Sequence, residues 1–274
     1  MVCFHFHFKG FFTNMLYFFT FIFVGSFCSY PNFYYRALFL WGIIMKIIKT
    51  ITNYFSKFEI SLWLFSIAII VSSFVIFDRT NYTTLVSSIV GVTSLILNAK
   101  GNPFGQVLII VFGILYGIIS FSYSYYGEMI TYLGMTVPMA CIALVSWLRN
   151  PYNGKRSEVR VNHISYKEII FMTVLALIVT IVFYFILKAF NTANLIPSTI
   201  SVTTSFSAVY LTFRRSPYFA IAYALNDIVL IILWSLASIY DISYVSVVIC
   251  FAVFLVNDIY SFLNWLRIGQ RQSA

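Results

Sequence analysis

Two stretches, NDIVLIILW and NDIYSFLNW, each set Asn-Asp-Ile ahead of a Trp that falls eight positions after the Asn. They supply Asn226, Asp227 and Trp234, then Asn257, Asp258 and Trp265. An amide both donates and accepts hydrogen bonds, a carboxylate offsets positive charge, and an indole face attracts a cationic ring by about 0.5–2 kcal/mol. Grouped in one cavity, such residues suit a polar, flat, cationic solute. A hydroxyl-rich stretch adds Ser201, Thr203, Thr204, Ser205 and Ser207, and from the earlier half of the chain Gln106, Tyr116 and Tyr132 could reach the same place. The same residue types also serve packing: Asn bridges helices, Asp caps or pairs with basic groups, and Ser and Thr line helix contacts in a bilayer. Gln106 stands near a helix start and could simply face the interface. Trp147 and Trp265, beside Arg149 and Arg267, fit an anchoring belt at the membrane surface, and Trp234 fits a belt or a gate.

Other chemistries have little support. Cys3, Cys28, Cys141 and Cys250 lack paired spacing, and His5, His7 and His163 share no helical face with an acid or thiol, so no metal or nucleophile site is indicated. There is no phosphate-binding loop of the form G-x-x-x-x-G-K-[ST]. Asp227 and Asp258 could pair as an enzyme's acids, yet no His lies at their depth and no second polar group faces them. The sequence therefore implies no enzyme and no cofactor.

The elements that must carry these residues are membrane helices. The 274 residues are 61% hydrophobic and 9% charged, against roughly 25% charged in a soluble chain. Apolar runs bounded by charges or by Pro, Gly and Asn predict helices over 60–77, 82–97, 104–122, 130–148, 168–187, 198–213, 218–238 and 243–266. These are eight core crossings of an all-α integral membrane protein; runs such as FMTVLALIVTIVFYFIL are too long for barrel strands. At about 1.5 Å per residue, Asn226 and Asn257 lie roughly 12 and 13 Å from the cytoplasmic ends of their helices. A carboxylate at that depth costs about 3 kcal/mol, so it faces a cavity or a partner.

Charge sets the orientation. With the segment before Ile60 inside, the cytoplasmic face collects Lys46, Lys49, Lys57, Lys100, Arg149, Lys155, Arg156, Arg160, Lys167, Arg214, Arg215, Arg267 and Arg271, leaving Arg79 and Lys188 outside. The net charge of +9 is thus a topology signal and calls for no nucleic acid. Phe11 to Cys28 suits a ninth helix or a surface helix, and it lacks the basic flank and cleavage site of a signal peptide. Met45, followed by a short basic amphipathic segment, looks like a natural start, which makes residues 1–44 dispensable within an aromatic amino-terminal extension over 1–45.

The core also repeats at an offset of about 109 to 118. Lys57-Phe58-Glu59-Ile60 matches Tyr166-Lys167-Glu168-Ile169, Asn102-Pro103-Phe104 matches Ser216-Pro217-Tyr218, and Ser146-Trp147-Leu148-Arg149 matches Asn264-Trp265-Leu266-Arg267. Both copies start on one side, which is a parallel repeat of the kind that places a transporter's site at the repeat interface. Asn226 aligns with Phe112 and Asn257 with Met139, so the second copy is expected to supply most of the site. Pro138, Pro217, Gly91, Gly113, Gly117 and Gly134 are either bend points or packing positions.

The run AKGNPFGQVLIIVFGILYGIISFSYSYYGEMITYLGM, the WLRNP end and the VNDIYSFLNW helix resemble the PnuC family of bacterial nicotinamide riboside transporters over about residues 46–270. The resemblance implies a SWEET-like fold: three-helix bundles over 82–148 and 198–266, a linker helix over 168–187, and an additional amino-terminal helix. It further implies a homotrimer in the bacterial inner membrane and facilitated diffusion of nicotinamide riboside, trapped by a cytosolic kinase. Substrate contacts then fall to Asn226, Asp227, Trp234, Asn257, Asp258, Gln106, Tyr116, Tyr132 and Thr204. Relatives are thought to carry thiamine, also a flat cation, and the sequence leaves both vitamins, and proton coupling, open.

Overall fold

The computed structural model describes residues 42, 46, 49, 52–123 and 125–274. The expectations for Phe11–Cys28, for a start at Met45 and for most of the extension lie outside the described residues. The chain divides into two units, Met1–Ile60 and Ser61–Ala274. In the first, Ser56 and Glu59 form a capping box: Glu59 N–H donates to Ser56 Oγ at 3.2 Å and Ser56 N–H to Glu59 Oε2 at 2.6 Å. This cap starts the first long helix at Lys57, ahead of the hydrophobic run that predicted it.

The long helices are α1 (Lys57–Asp78), α2 (Tyr82–Ala99), α3 (Phe104–Ser122), α4 (Tyr126–Arg149), α5 (Tyr166–Ala189), α6 (Leu195–Phe213), α7 (Phe219–Ser238) and α8 (Val245–Ser273). Among the described residues, seven spans are long and apolar enough to cross a membrane. Helix α6 falls short of them because Ser198, Thr199, Ser201, Thr203, Thr204, Ser205 and Ser207 dilute its hydropathy. Between α4 and α5 lies a hairpin that the hydropathy pattern did not predict, β1 (Pro151–Tyr152) with β2 (Lys155–Val159). Asn153 and Gly154 turn it with φ of 47° and 73°, the double left-handed geometry for which Asn-Gly is suited.

Helix α4 begins four residues before its apolar run and contains a π turn over Tyr132–Thr136. Pro138 has no N–H and its ring crowds the carbonyl four residues back, so the widened turn relieves a clash that a regular helix would keep. Tyr132, the first residue of this turn, is buried.

In the second unit α3 packs on both α2 and α4, and α7 packs on both α6 and α8; α2 also meets α8, α4 meets α6, and α5 lies against α6. Helix α5 is the most apolar span and the least buried, with Phe171, Leu177, Ile181 and Phe185 exposed as lipid-facing side chains are.

At the basic end the loops are tied together. Val159 N–H donates to Gly101 O at 2.9 Å and Asn162 N–H to Arg215 O at 3.0 Å. Beneath them Trp147 and Trp265 are fully buried, with rings 5.4 Å apart. These two residues do not form an interfacial belt, because each spends its N–H inside the protein. Trp147 Nε1 donates to Thr212 O at 2.8 Å and Trp265 Nε1 to Asn98 O at 2.7 Å. The preceding residues follow suit: Ser146 Oγ donates to Phe213 O at 2.9 Å and Asn264 Nδ2 to Ala99 O at 2.7 Å. Thus the end of α4 is fastened to the end of α6, and the last third of α8 to the end of α2, by matching bonds.

Close contact between α2 and α8 depends on Gly91. A Cβ there would lie 2.3 Å from Phe254 Cζ, inside any permitted contact. Gly91→Ala is expected to cost about 1–3 kcal/mol by overpacking, read as a lower melting temperature of the detergent-purified protein; an unchanged melting temperature would show that the Phe254 ring yields freely.

Candidate functional site

Asn226 on α7 is 2% exposed and anchors a polar group that joins three helices. Its Oδ1 accepts from Thr204 Oγ1 at 2.8 Å and from Ser205 Oγ at 3.0 Å, both on α6. Its amide also bonds the Tyr132 hydroxyl on α4. One residue along, Asp227 meets Asp258 of α8, and the two carboxyl groups share a hydrogen bond, a contact that needs one proton on the pair. Asp227 Oδ2 and Asp258 Oδ1 have no partner among the described residues. The equal spacing of the two Asn-Asp pairs from one membrane face thus ends in contact between their acids.

An aromatic group adjoins this one. Tyr116 and Tyr132 lie with ring centroids 4.4 Å apart, Phe112 stacks on Tyr116 at 5.7 Å, and Trp234 Nε1 donates to Tyr116 Oη at 2.6 Å. Trp234 is fully buried among Tyr123, Tyr125 and Tyr244, which corrects the belt reading for this residue too. Burial pushes the Tyr123 hydroxyl up to about 12 and raises Tyr125 as well, so both remain neutral hydrogen-bond donors at ordinary pH. Alongside, Thr84, Ser87, Ser88, Tyr116 and Cys250 help line a cavity of about 10 Å³, room for one water molecule. A drug-sized ligand occupies roughly 300 Å³ or more, so admitting one requires these rings and helices to part.

Two of the residues expected at the site have other neighbours. Asn257 points its Nδ2 at Ser66 Oγ on α1, at 3.0 Å, and at Val253 O, at 2.8 Å. Gln106 Nε2 donates to Asn98 Oδ1 at 2.9 Å, closing the turn between α2 and α3. Both are buried, and no bond described joins either to the Asn226 group.

Sequence reasoning missed Glu128. This side chain is 0% exposed, on the first turn of α4, and its Oε2 accepts from Ser201 Oγ of α6 at 3.4 Å while Oε1 has no partner among the described residues. With Tyr116 and Tyr132 it shows that α3 and α4 contribute polar groups too, against the expectation of a site supplied mostly by the second copy. The available signal was the YGEMITYLGM stretch, where Glu128 and Tyr132 share a helical face once the helix is extended back to Tyr126.

Comparison with known proteins places this arrangement. The family model described as nicotinamide mononucleotide transporter matches residues 81–267. Nicotinamide riboside transporter PnuC of Neisseria mucosa is 21% identical over 219 residues, covering 78% of this chain and 83% of that one. Among solved structures, the crystal structure of the vitamin B3 transporter PnuC superposes with a TM-score of 0.71 at 20% identity, covering 80% of this chain and 94% of the other. The last likeness is one of fold.

Proposed function

This chain belongs to the nicotinamide mononucleotide transporter family, so it is a multi-pass membrane transporter and not an enzyme, and we propose that it carries nicotinamide riboside into the cytoplasm by facilitated diffusion. The observation that carries the substrate reading is the buried group in which Asn226 meets Tyr132, Thr204 and Ser205, next to the Asp227–Asp258 pair and the Tyr116–Trp234 rings. Amides and hydroxyls there suit the carboxamide and ribose, and the acids and aromatic faces suit the pyridinium ring. The likeness to relatives that carry the riboside and vitamin B3 supports the same choice.

Helices α2, α3 and α4 form one bundle and α6, α7 and α8 the other, with α5 as linker and α1 as the additional helix. The α3 and α7 contacts and the matched Trp147 and Trp265 bonds support this parallel repeat. Rocking of one bundle against the other then exposes the site to either side in turn. The basic loops face the cytoplasm of a bacterial inner membrane, with both ends of the core inside, and the protein works as a homotrimer. A cytosolic kinase consumes the arriving riboside and keeps the gradient inward.

A calorimetric or thermal-shift screen of the purified protein with nicotinamide riboside, its phosphorylated form, thiamine and simple sugars tests the reading. Binding stabilises the folded state in proportion to affinity, so the riboside should raise the melting temperature most; thiamine doing so instead would move the assignment to that vitamin. Asn226→Ala is expected to weaken riboside binding by about 10- to 100-fold, because it strips a buried polar site of its shared partner. Asn257→Ala should change melting more than affinity, since Asn257 bonds Ser66 and Val253. Equal affinity in the Asn226 variant and the wild type would reject this placement. A proton-coupled carrier is the second reading, favoured by the Asp227–Asp258 contact. It requires uptake into proteoliposomes to fall when the pH gradient is removed.

A further inference from the structure

Glu128 is the buried acid that neither the helix repeat nor the Asn226 group accounts for. Its carboxyl has one oxygen without a partner among the described residues and the other held by a single long bond from Ser201. The first turn of a helix favours an anion, which explains why a carboxyl is tolerated there but not why a fully buried oxygen is left unbonded. Such an oxygen inside a membrane protein marks a place where a partner arrives.

Its surroundings say what kind of partner. Glu128 lies within electrostatic range of the Tyr116, Tyr125 and Tyr132 hydroxyls, and Tyr116 and Tyr132 hold ring faces 4.4 Å apart at centroid. Tyr132 links onward to Asn226. Glu128 therefore stands one helical turn before Tyr132 on α4, on the side of the polar group that α4 supplies. The Asp227 and Asp258 carboxyls are engaged with each other, whereas Glu128 has only the Ser201 bond among the described residues. A buried carboxyl whose Oε1 has no partner among the described residues, within electrostatic range of aromatic side chains, is what a flat cation takes as its counter-charge.

We propose that Glu128 is a specificity-determining residue that selects cationic heterocycles, N-alkylpyridinium or thiazolium rings, over neutral rings of the same shape. This inference rests on the transporter's substrate being bound at the Asn226 group. It names the residue that reads the substrate's charge, and it assigns the reading of shape and hydroxyls to the others.

The test compares nicotinamide riboside with its reduced dihydropyridine form, which keeps the carboxamide and ribose but has a neutral ring. Calorimetry on wild-type protein should give a preference for the cation of about 10- to 100-fold, the coulombic attraction left after both charges are desolvated. Glu128→Gln keeps the size and one acceptor but removes the charge, and it should bring the ratio close to one by weakening the cation alone. Glu128→Asp, with its charge one methylene further back, should fall between the two. Loss of both compounds to the same degree in Glu128→Gln would show a purely structural role and overturn the proposal. Should the Gln variant fail to fold, an Asp variant with the wild-type ratio does the same. If wild-type protein binds neither riboside, the substrate reading fails, and the same variants are measured with thiamine and its neutral deaza analogue. An unchanged ratio there, or binding of neither cation, overturns the inference as well.

Discussion

Trp147→Ala and Trp265→Ala are each expected to destabilise the protein by about 3–5 kcal/mol, the cost of emptying a large buried site. Both side chains are fully buried, and each closes a bond from one helix end to another: Trp147 to Thr212 O and Trp265 to Asn98 O. Trp→Phe at either position keeps most of the ring and removes one bond, while Thr212 O still accepts from Arg215 N–H and Asn98 O from Gly101 N–H, so the lost bond should cost about 0.5–1.5 kcal/mol. Because the rings are 5.4 Å apart, the double Ala variant should depart from additivity, with a coupling of about 0.5–3 kcal/mol. Thermal melting in detergent of the four proteins of this cycle, with the two Phe variants beside them, measures each quantity. Strict additivity would mean that the indoles act separately, each on its own helix end, and that the matched bonds do not work as one clasp.

The clasp also shows where the sequence could be read and where it could not. Helix positions follow from hydropathy because lipid demands long apolar runs, and the described long helices lie close to their predicted spans, except that α8 continues past the predicted end at 266 to Ser273. The larger departures are at ends set by polar chemistry that hydropathy does not register. The Ser56–Glu59 capping box starts α1 early, and α4 reaches back to Tyr126, which carried Glu128 from an expected loop into the buried interior. Tryptophans beside arginines at a helix end look alike whether they face lipid headgroups or a neighbouring helix. The pattern that separates the two was present in the two matching segments: Ser146-Trp147 and Asn264-Trp265 each pair an indole with a second donor, as a contact with paired carbonyls requires.

The same limit applies to the amides. Asn226 and Asn257 are equivalent in sequence, one residue before an Asp and eight before a Trp. Spacing of that kind fixes depth, and it does bring Asp227 to Asp258. It does not fix which neighbour a side chain meets. Asn226 faces hydroxyls of α6, whereas Asn257 faces Ser66 of α1, a helix outside the repeat. Only tertiary packing distinguishes them.

Asp227→Asn and Asp227→Leu separate what the acid pair does for the fold from what it does for transport. In Asp227→Asn the amide still donates to Asp258 and fills the same volume, so stability should change by less than about 1 kcal/mol. Asp227→Leu leaves the Asp258 carboxyl buried with its partner gone, at a cost of about 3–5 kcal/mol if Asp258 stays ionised. The melting temperatures should therefore rank wild type and Asn together, well above Leu. Riboside uptake is expected to rank differently. If the pair offsets substrate charge, Asp227→Asn lowers the rate of uptake into proteoliposomes by about tenfold or more despite its intact fold, and the loss persists with no pH gradient present. If the pair instead couples uptake to protons, Asp227→Asn abolishes the response to a pH gradient while leaving equilibrium exchange of riboside in place. An Asp227→Asn protein that melts and transports like the wild type would assign the pair to helix packing alone, with the substrate's charge read elsewhere, at Glu128.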